Sequence, residues 1–400
     1  MKKITLLLAA ILLFNMSAFA QESKSEKAGG FQFTTVKELP ITKIQNQASS
    51  GTCWCFSTVS FLESEILRNG YKGDLNLSEM FIISHAYADK AVKYIRVDGN
   101  LNFAGGSSFG DALTVFKDYG AVPESLMTGL NYGENRHVHG ELDAVTKGYV
   151  SALLKNPNRK LSTAWKAGFQ GILDAYLGKI PEEFEYNGAK YTPKSYAESL
   201  GINPDDYVSL TSFTHVPFYK QFAIEVADNW RWELSYNLPL DELIAVMYNA
   251  IDKGYTFAWA SDVSEKGFTR NGVATVPDME ALTPTGSDEA RWIGLTPQER
   301  DRELAKKMEG PVAEKAITPE LRQKEYDNKL TTDDHGMHIF GIATDQNGRK
   351  YFMVKNSWGE SGKYKGIWYV SEAFVKYKTM DILVHKDAIP KDIKKKLGIK

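Results

Sequence analysis

Two cysteines stand two positions apart in SSGTCWCFS (49–57), and the chain has no others. From Cys53 to Asn69 the apolar residues Trp54, Phe56, Val59, Phe61, Leu62, Ile66 and Leu67 recur near the helical period. Thr52 or Ser50 stands where a cap is needed, and Gly70 where a helix stops. Positions i and i+2 of a helix point about 200° apart, so the two sulfurs cannot bridge without strain. Two cysteines also cannot complete a structural zinc site. The fold must therefore rest on buried apolar surface. Composition supplies it, since 43% of the 400 residues are hydrophobic and 24% charged, and a chain of this length is expected to form two or three lobes with large cores.

A net charge of −2 gives no broad field for nucleic acid or an acidic membrane. The one basic run, Lys391 with Lys394, Lys395 and Lys396, reads as a solvated helix face. At the start, Lys2 and Lys3, an apolar run from Ile4 to Phe14, and Ser17-Ala18-Phe19-Ala20 read as a secretory signal cut before Gln21. That run is shorter than the roughly 20 residues that span a bilayer. The expectation is a signal peptide over 1–20 and a mature protein free of the membrane, periplasmic or secreted.

One thiol at most is left for chemistry. Cys53 stands at the first helical turn, where unpaired N–H groups and the positive end of the helix dipole favour the thiolate. Cys55, deeper in the helix beside Phe56, reads as a small core residue. Upstream, Gln47 offers an amide that can join the Cys53 N–H in binding a developing oxyanion. Far downstream, DDHGMHIFGIATD (333–345) alternates like a strand beginning at His335. The segment YFMVKNSWGESGKYKGIWYV (351–370) begins as another strand and presents Asn356, Ser357, Trp358 and Gly359. A thiol nucleophile, an imidazole base and an amide that orients the imidazole form a Cys-His-Asn triad. On a strand starting at His335, His338 faces the other way from 335, 337 and 339, which makes His335 the base candidate. A rival arrangement places His137 and His139 of HVH on one strand face and adds Asp333, Asp334, His335 and His338 as ligands of a metal-dependent hydrolase. It has no HExxH helix and gives Gln47, Cys53, Asn356 and Trp358 no role. An inactive peptide-binding module is the remaining alternative.

QASSGTCWCFS, HGMHI and KNSWGE, in that order, resemble the papain superfamily of cysteine peptidases. The resemblance implies Gln47 as oxyanion-hole donor, Cys53 as nucleophile, His335 as base and Asn356 as its orienter. It implies Trp358 as the ring at the substrate site that shields the His–Asn contact from water. Cys53 and His335 lie 282 positions apart (335 − 53), and 26 residues (21–46) separate the cleavage point from Gln47, too few for the usual propeptide. Both features resemble the bleomycin hydrolase and aminopeptidase C branch. So do the segments LNLSEMFIISHAYADKAVKYI (75–95), GGSSFGDALTVFKDYGAVPES (105–125) and LPLDELIAVMYNAIDKGYTFAWASDVSEKGF (238–268).

The implied fold is α+β, papain-like and two-lobed. A helical lobe (about 36–125) bears Cys53, and a β-barrel-like lobe (about 331–390) bears His335 and Asn356. Between them lies a large, partly helical insertion (about 126–330) that includes a helix over 241–254. Ser78 and Glu79 open a helix, and Asp262, after the strand-like YTFAWAS, reads as structural. Gly105 and Gly106 are implied to border the cleft and pair with the substrate backbone. Peptides are the implied partners, with no cofactor, no metal and no nucleic acid. The implied chemistry starts from a thiolate–imidazolium pair and passes through an acyl-enzyme. Close members of the branch carry a longer tail whose carboxylate holds the substrate amino group, and IPKDIKKKLGIK stops short of it. Aminopeptidase action is thus the first expectation and endopeptidase action the alternative. The same difference weakens the hexameric homo-oligomer that the resemblance implies.

Overall fold

The computed structural model describes residues 30–285 and 289–400; the signal segment expected over 1–20 lies outside the described residues. Helix α1 runs Cys53–Arg68, as the periodicity predicts, with Gly70 just past its end at φ +93°. Neither Thr52 nor Ser50 caps it through a side chain; their hydroxyls pair with each other at 2.5 Å. Helix α2 (Glu79–Arg96) opens at the predicted place, where Ser78 Oγ accepts from the Phe81 N–H at 3.0 Å. Helices α3 (Phe109–Tyr119), α4 (Gly140–Leu154), α5 (Ala164–Leu177) and α6 (Pro193–Ser199) complete the helical side. Their apolar faces meet in one core that buries Phe61, Phe81, Phe116, Val150, Phe169 and Leu173. Each such side chain stabilises the fold by roughly 1.5–3 kcal/mol.

Strand β1 (Phe33–Glu38) precedes α1, and β2 (Phe184–Tyr186) pairs only with β3 (Ala189–Tyr191). From the middle of the chain come β4 (Tyr207–Thr211), β5 (Gln221–Ala223), β6 (Leu234–Asn237), β7 (Phe257–Ser261), β8 (Phe268–Thr269) and β9 (Val273–Ala274). From its last part come β10 (His335–Asp345), β11 (Lys350–Lys355), β12 (Ile367–Ser371) and β13 (Thr379–His385). They pair in the order β5-β6-β4-β13-β7-β10-β11-β12-β9-β8, with β1 added on β10. The class is α+β. The barrel-like closure expected of the β-rich lobe is not made by strand pairing among the described residues. β4, β5 and β6 extend the sheet sideways from β13, and the path ends openly at β5 and β8.

Both faces of the sheet are covered, as strand alternation shows. In β7, Phe257 and Trp259 enter a second core beneath α7 (Leu240–Lys253), while Ala258 and Ala260 face the helical core. In β13, Ile382 and Val384 join the second core and Leu383 the helical one, which Met380 also enters because the register shifts between Thr379 and Ile382. Helix α7 is the one predicted over 241–254, closed by Gly254 at φ +88°. The small residues on the helical face let α1 come close. A Cβ on Gly336 of β10 would lie 2.8 Å from Ser57 Oγ and 2.9 Å from the Phe109 ring, so this approach requires glycine. The basic run forms helix Lys391–Leu397, in which Lys394 pairs with Asp387 at 3.1 Å and Lys396 with Glu242 at 2.7 Å. Among the described residues no helix is long and apolar enough to cross a membrane.

Candidate active site

Where the start of α1 meets the start of β10, the protein encloses a cavity of about 400 Å³ lined by Gln47, Cys53 and His335, which come from two distant stretches of the chain. Strand register explains the rest of the arrangement. His338 of β10 pairs with Lys355 of β11. Continued outward, that register sets position 335 across from 358. The rings of His335 and Trp358 stack there, centroids 4.7 Å apart and 25° between planes. Asn356, just past β11, brings Oδ1 to 2.8 Å from His335 Nε2. The same oxygen accepts the Ser357 backbone N–H at 2.8 Å. A backbone N–H can only donate, so it is the amide oxygen that faces both groups. His335 therefore carries its proton on Nε2 and keeps a lone pair on Nδ1.

Gln47 is fixed by the neighbouring residue of that loop. Ser357 Oγ donates to Gln47 Oε1 at 2.6 Å, and the Gln47 backbone N–H donates to the Ser357 carbonyl at 2.8 Å. With its oxygen engaged, the amide has its Nε2 hydrogens left for the cavity. The one signal for this function of Ser357 in the sequence is its place between Asn356 and Trp358.

The ionisation state differs from the thiolate–imidazolium expectation. Burial dominates at Cys53, and Asp333 and Asp228 repel a charge there, against backbone N–H bonds from Gly336 and Trp54 that favour it. The thiol is pushed up to about 11. Burial also pushes His335 down to about 4, against the upward pull of its bond to Asn356. Both shifts favour the neutral thiol and the neutral imidazole over the ion pair. A helix start stabilises a thiolate only weakly when the sulfur is closed in and its nearest charges are carboxylates.

Similarity to known proteins agrees with this geometry. A family described as "Papain family cysteine protease" matches residues 31–103, and one described as "Peptidase C1-like family" matches 320–399. The first stretch contains Gln47 and Cys53, the second His335, Asn356 and Trp358. Aminopeptidase G of Lactobacillus delbrueckii subsp. lactis is 24% identical, covering 94% of this chain and 88% of its own length. Aminopeptidase C of Streptococcus thermophilus is 22% identical, covering 91% and 84%. The solved structure of PepW from Lactobacillus rhamnosis shares the fold, with a TM-score of 0.66 at 19% identity over 91% of this chain and 84% of that one. The chain is a papain-superfamily cysteine peptidase. Its relatives place it in the aminopeptidase C branch.

The remaining residues singled out in the sequence take up several positions in this peptidase. Gly106 lines the cavity. Gly105 does not; it is buried behind the wall, its carbonyl accepting from Trp54 Nε1 at 2.9 Å. Trp358 touches His335 but does not line the cavity. His338 is buried on the other side of β10, its Nδ1 2.9 Å from Ser60 Oγ. Cys55 is fully buried in the helical core. Asp262 braces a turn, accepting from the Ser264 N–H at 2.7 Å and lying 3.3 Å from Lys378 Nζ. His137 and His139 sit on a loop instead of the expected strand. Their backbones clip Ser49, at 2.9 Å to its N–H and 3.2 Å to its carbonyl. Among the described residues no three His, Cys, Asp or Glu side chains are grouped to hold a metal ion. None of the described residues of 270–330 lines the cavity. Asp228, Glu233 and Asp381 do, and no motif marked them, because they arrive from separate segments of the sheet lobe.

Proposed function

We propose that this peptidase cleaves peptide bonds through a triad of Cys53, His335 and Asn356, with Gln47 as oxyanion donor, and removes residues from the amino end of its substrates after export. The carrying observation is the meeting of Gln47, Cys53 and His335 on one cavity, with Asn356 leaving His335 Nδ1 able to accept a proton. The neutral imidazole is the form a general base needs. As Cys53 Sγ bonds to the carbonyl carbon, its proton passes to Nδ1 and the carbonyl electron pair moves onto oxygen. Gln47 Nε2 and the Cys53 N–H then donate to that oxyanion, a contribution of about 3–4 kcal/mol for each donor in comparable sites. The imidazolium returns the proton to the departing nitrogen as the C–N bond breaks, leaving a thioester on Cys53. Water, giving its proton to Nδ1, attacks the thioester, and Cys53 leaves to recover its thiol. Asn356 and the Trp358 ring keep His335 in one orientation through both halves. The aminopeptidase part of the reading draws on the names of the relatives, and export on the amino-terminal signal pattern.

The test is hydrolysis of a peptidyl-aminomethylcoumarin by the mature protein. Iodoacetamide should abolish turnover and a chelator should leave it intact. Turnover that survives alkylation of Cys53 contradicts the reading.

A further inference from the structure

Among the described residues, five carboxylates line the cavity beside Cys53, those of Asp228, Glu233, Asp333, Asp334 and Asp381, and no lysine or arginine lines it with them. The cations nearby are committed elsewhere. Arg231 pairs with Asp89 and Asp111, both at 2.7 Å or less. Lys378 pairs with Asp262 and Glu265, each at 3.3 Å. Lys90 Nζ donates to the carbonyls of Ala104 and Gly106. Four of the five acids have neutral donors only. Asn102 Nδ2 lies 3.2 Å from Asp228, Ser108 Oγ 2.9 Å from Glu233, Ser209 Oγ 2.7 Å from Asp381 and Thr332 Oγ1 2.6 Å from Asp334. Asp333 has no such donor among the described residues. Burial and the like charges of Asp228, Asp381 and Asp334 push its carboxyl up to about 8. The cavity wall is shaped around this cluster, since a Cβ on Gly106 would overlap the Asp228 carboxylate.

We propose that the cavity is the recognition site for a positively charged group, an ammonium or guanidinium, on the part of the peptide that precedes the scissile bond, held by Asp333 with Asp228 and Asp381. The inference rests on Cys53 being the nucleophile. The departing amine takes its proton from His335, whose other neighbours, Asn356 and Trp358, lie outside the cavity lining. That leaves the cavity to the acyl half of the substrate. Half-buried carboxylates crowded together without a counter-ion are costly, and a charge-assisted hydrogen bond from an entering cation relieves them. The same cation offsets the repulsion that Asp333 and Asp228 exert on a Cys53 thiolate, so it favours attack as well as binding. The charge has two sources, the free α-amino group of an N-terminal residue or a Lys or Arg side chain next to the residue that is cleaved.

Two substrate pairs separate them. One compares leucyl-aminomethylcoumarin with its N-acetyl form. The other compares acetyl-lysyl-leucyl-aminomethylcoumarin with the acetyl-norleucyl analogue. The cationic member of at least one pair should be preferred by about tenfold or more in kcat/KM. The first pair assigns the α-amino group, the second the side chain. The preference should collapse in Asp333→Asn, and weaken in Asp228→Asn and Asp381→Asn. Equal turnover within both pairs, or a preference unchanged in all three variants, overturns the proposal. Absence of turnover on every substrate instead strikes the triad. A measurement on the unaltered protein guards against variants that do not fold. Leucinamide should protect Cys53 from iodoacetamide at lower concentration than N-acetyl-leucinamide does if the α-amino group is bound, and lysinamide acetylated at the α-nitrogen should do so if the side chain is. Equal protection by all three overturns the proposal.

Discussion

Asn356 Oδ1 takes two N–H donors at once, and that one oxygen decides which nitrogen of His335 keeps a free lone pair. Ser357, next in the chain, decides which end of the Gln47 amide faces the cavity. Gln47→Ala should lower kcat by about 10²–10³ with little change in KM, because an oxyanion forms only in the transition state. Ser357→Ala should lower it by about tenfold through the freed amide. Steady-state kinetics checks both, and a rise in KM at unchanged kcat contradicts the assignment. The burial of Cys53 and His335 carries a pH signature. With the thiol raised and the imidazole lowered, thiolate accumulates only as pH rises above the ordinary thiol value of about 8.5. Iodoacetamide should therefore alkylate the free enzyme faster and faster through the alkaline range. A rate already level from about pH 4, as an ion pair gives, contradicts this. The four residues of this constellation could be picked out because each sits in a short run of distinctive neighbours. The protonation state could not, because it depends on acids from distant segments and on burial, which no spacing records.

At the scale of elements, the decisive contact is α1 against β10. Gly336 permits it, with Ser57 and Phe109 pressed against the place a side chain would occupy. Gly336→Ala should destabilise the protein by about 1–3 kcal/mol through overpacking and lower kcat by moving the thiol away from the imidazole. Chemical denaturation and kinetics on the same preparation check this, and an alanine variant with both values unchanged contradicts it. Helices α1, α2 and α7 could be read from the sequence because each pairs a long apolar period with a stop or cap residue. The strands β4, β5 and β6 could not, because runs of three to five residues carry too few alternations to announce themselves. Their joining to β13 is what turns an expected barrel into an open sheet. The HVH segment misled for a related reason. Alternation over three residues fits a strand, yet the backbone there only clips Ser49.

Over the whole molecule, a sheet separates two cores, and the cavity opens where the helical core meets the first residues of β10. Length and composition implied more than one core, but not that the sheet would serve both. The proposed export would place the nucleophile outside the reducing cytosol. Peptidase activity should fall on prolonged aeration and return with a thiol reductant while the damage is still a sulfenic acid. Full activity after such exposure, without any reductant, contradicts that. The central claim is a covalent bond between substrate and Cys53. The most direct measurement is the mass of the acid-quenched enzyme during turnover of a peptide ester, with the modified residue located by digestion. The account predicts an acyl group on Cys53, absent in Cys53→Ala together with turnover, and retained in Cys55→Ala. Turnover undiminished in Cys53→Ala, or an acyl group on any other residue, contradicts it.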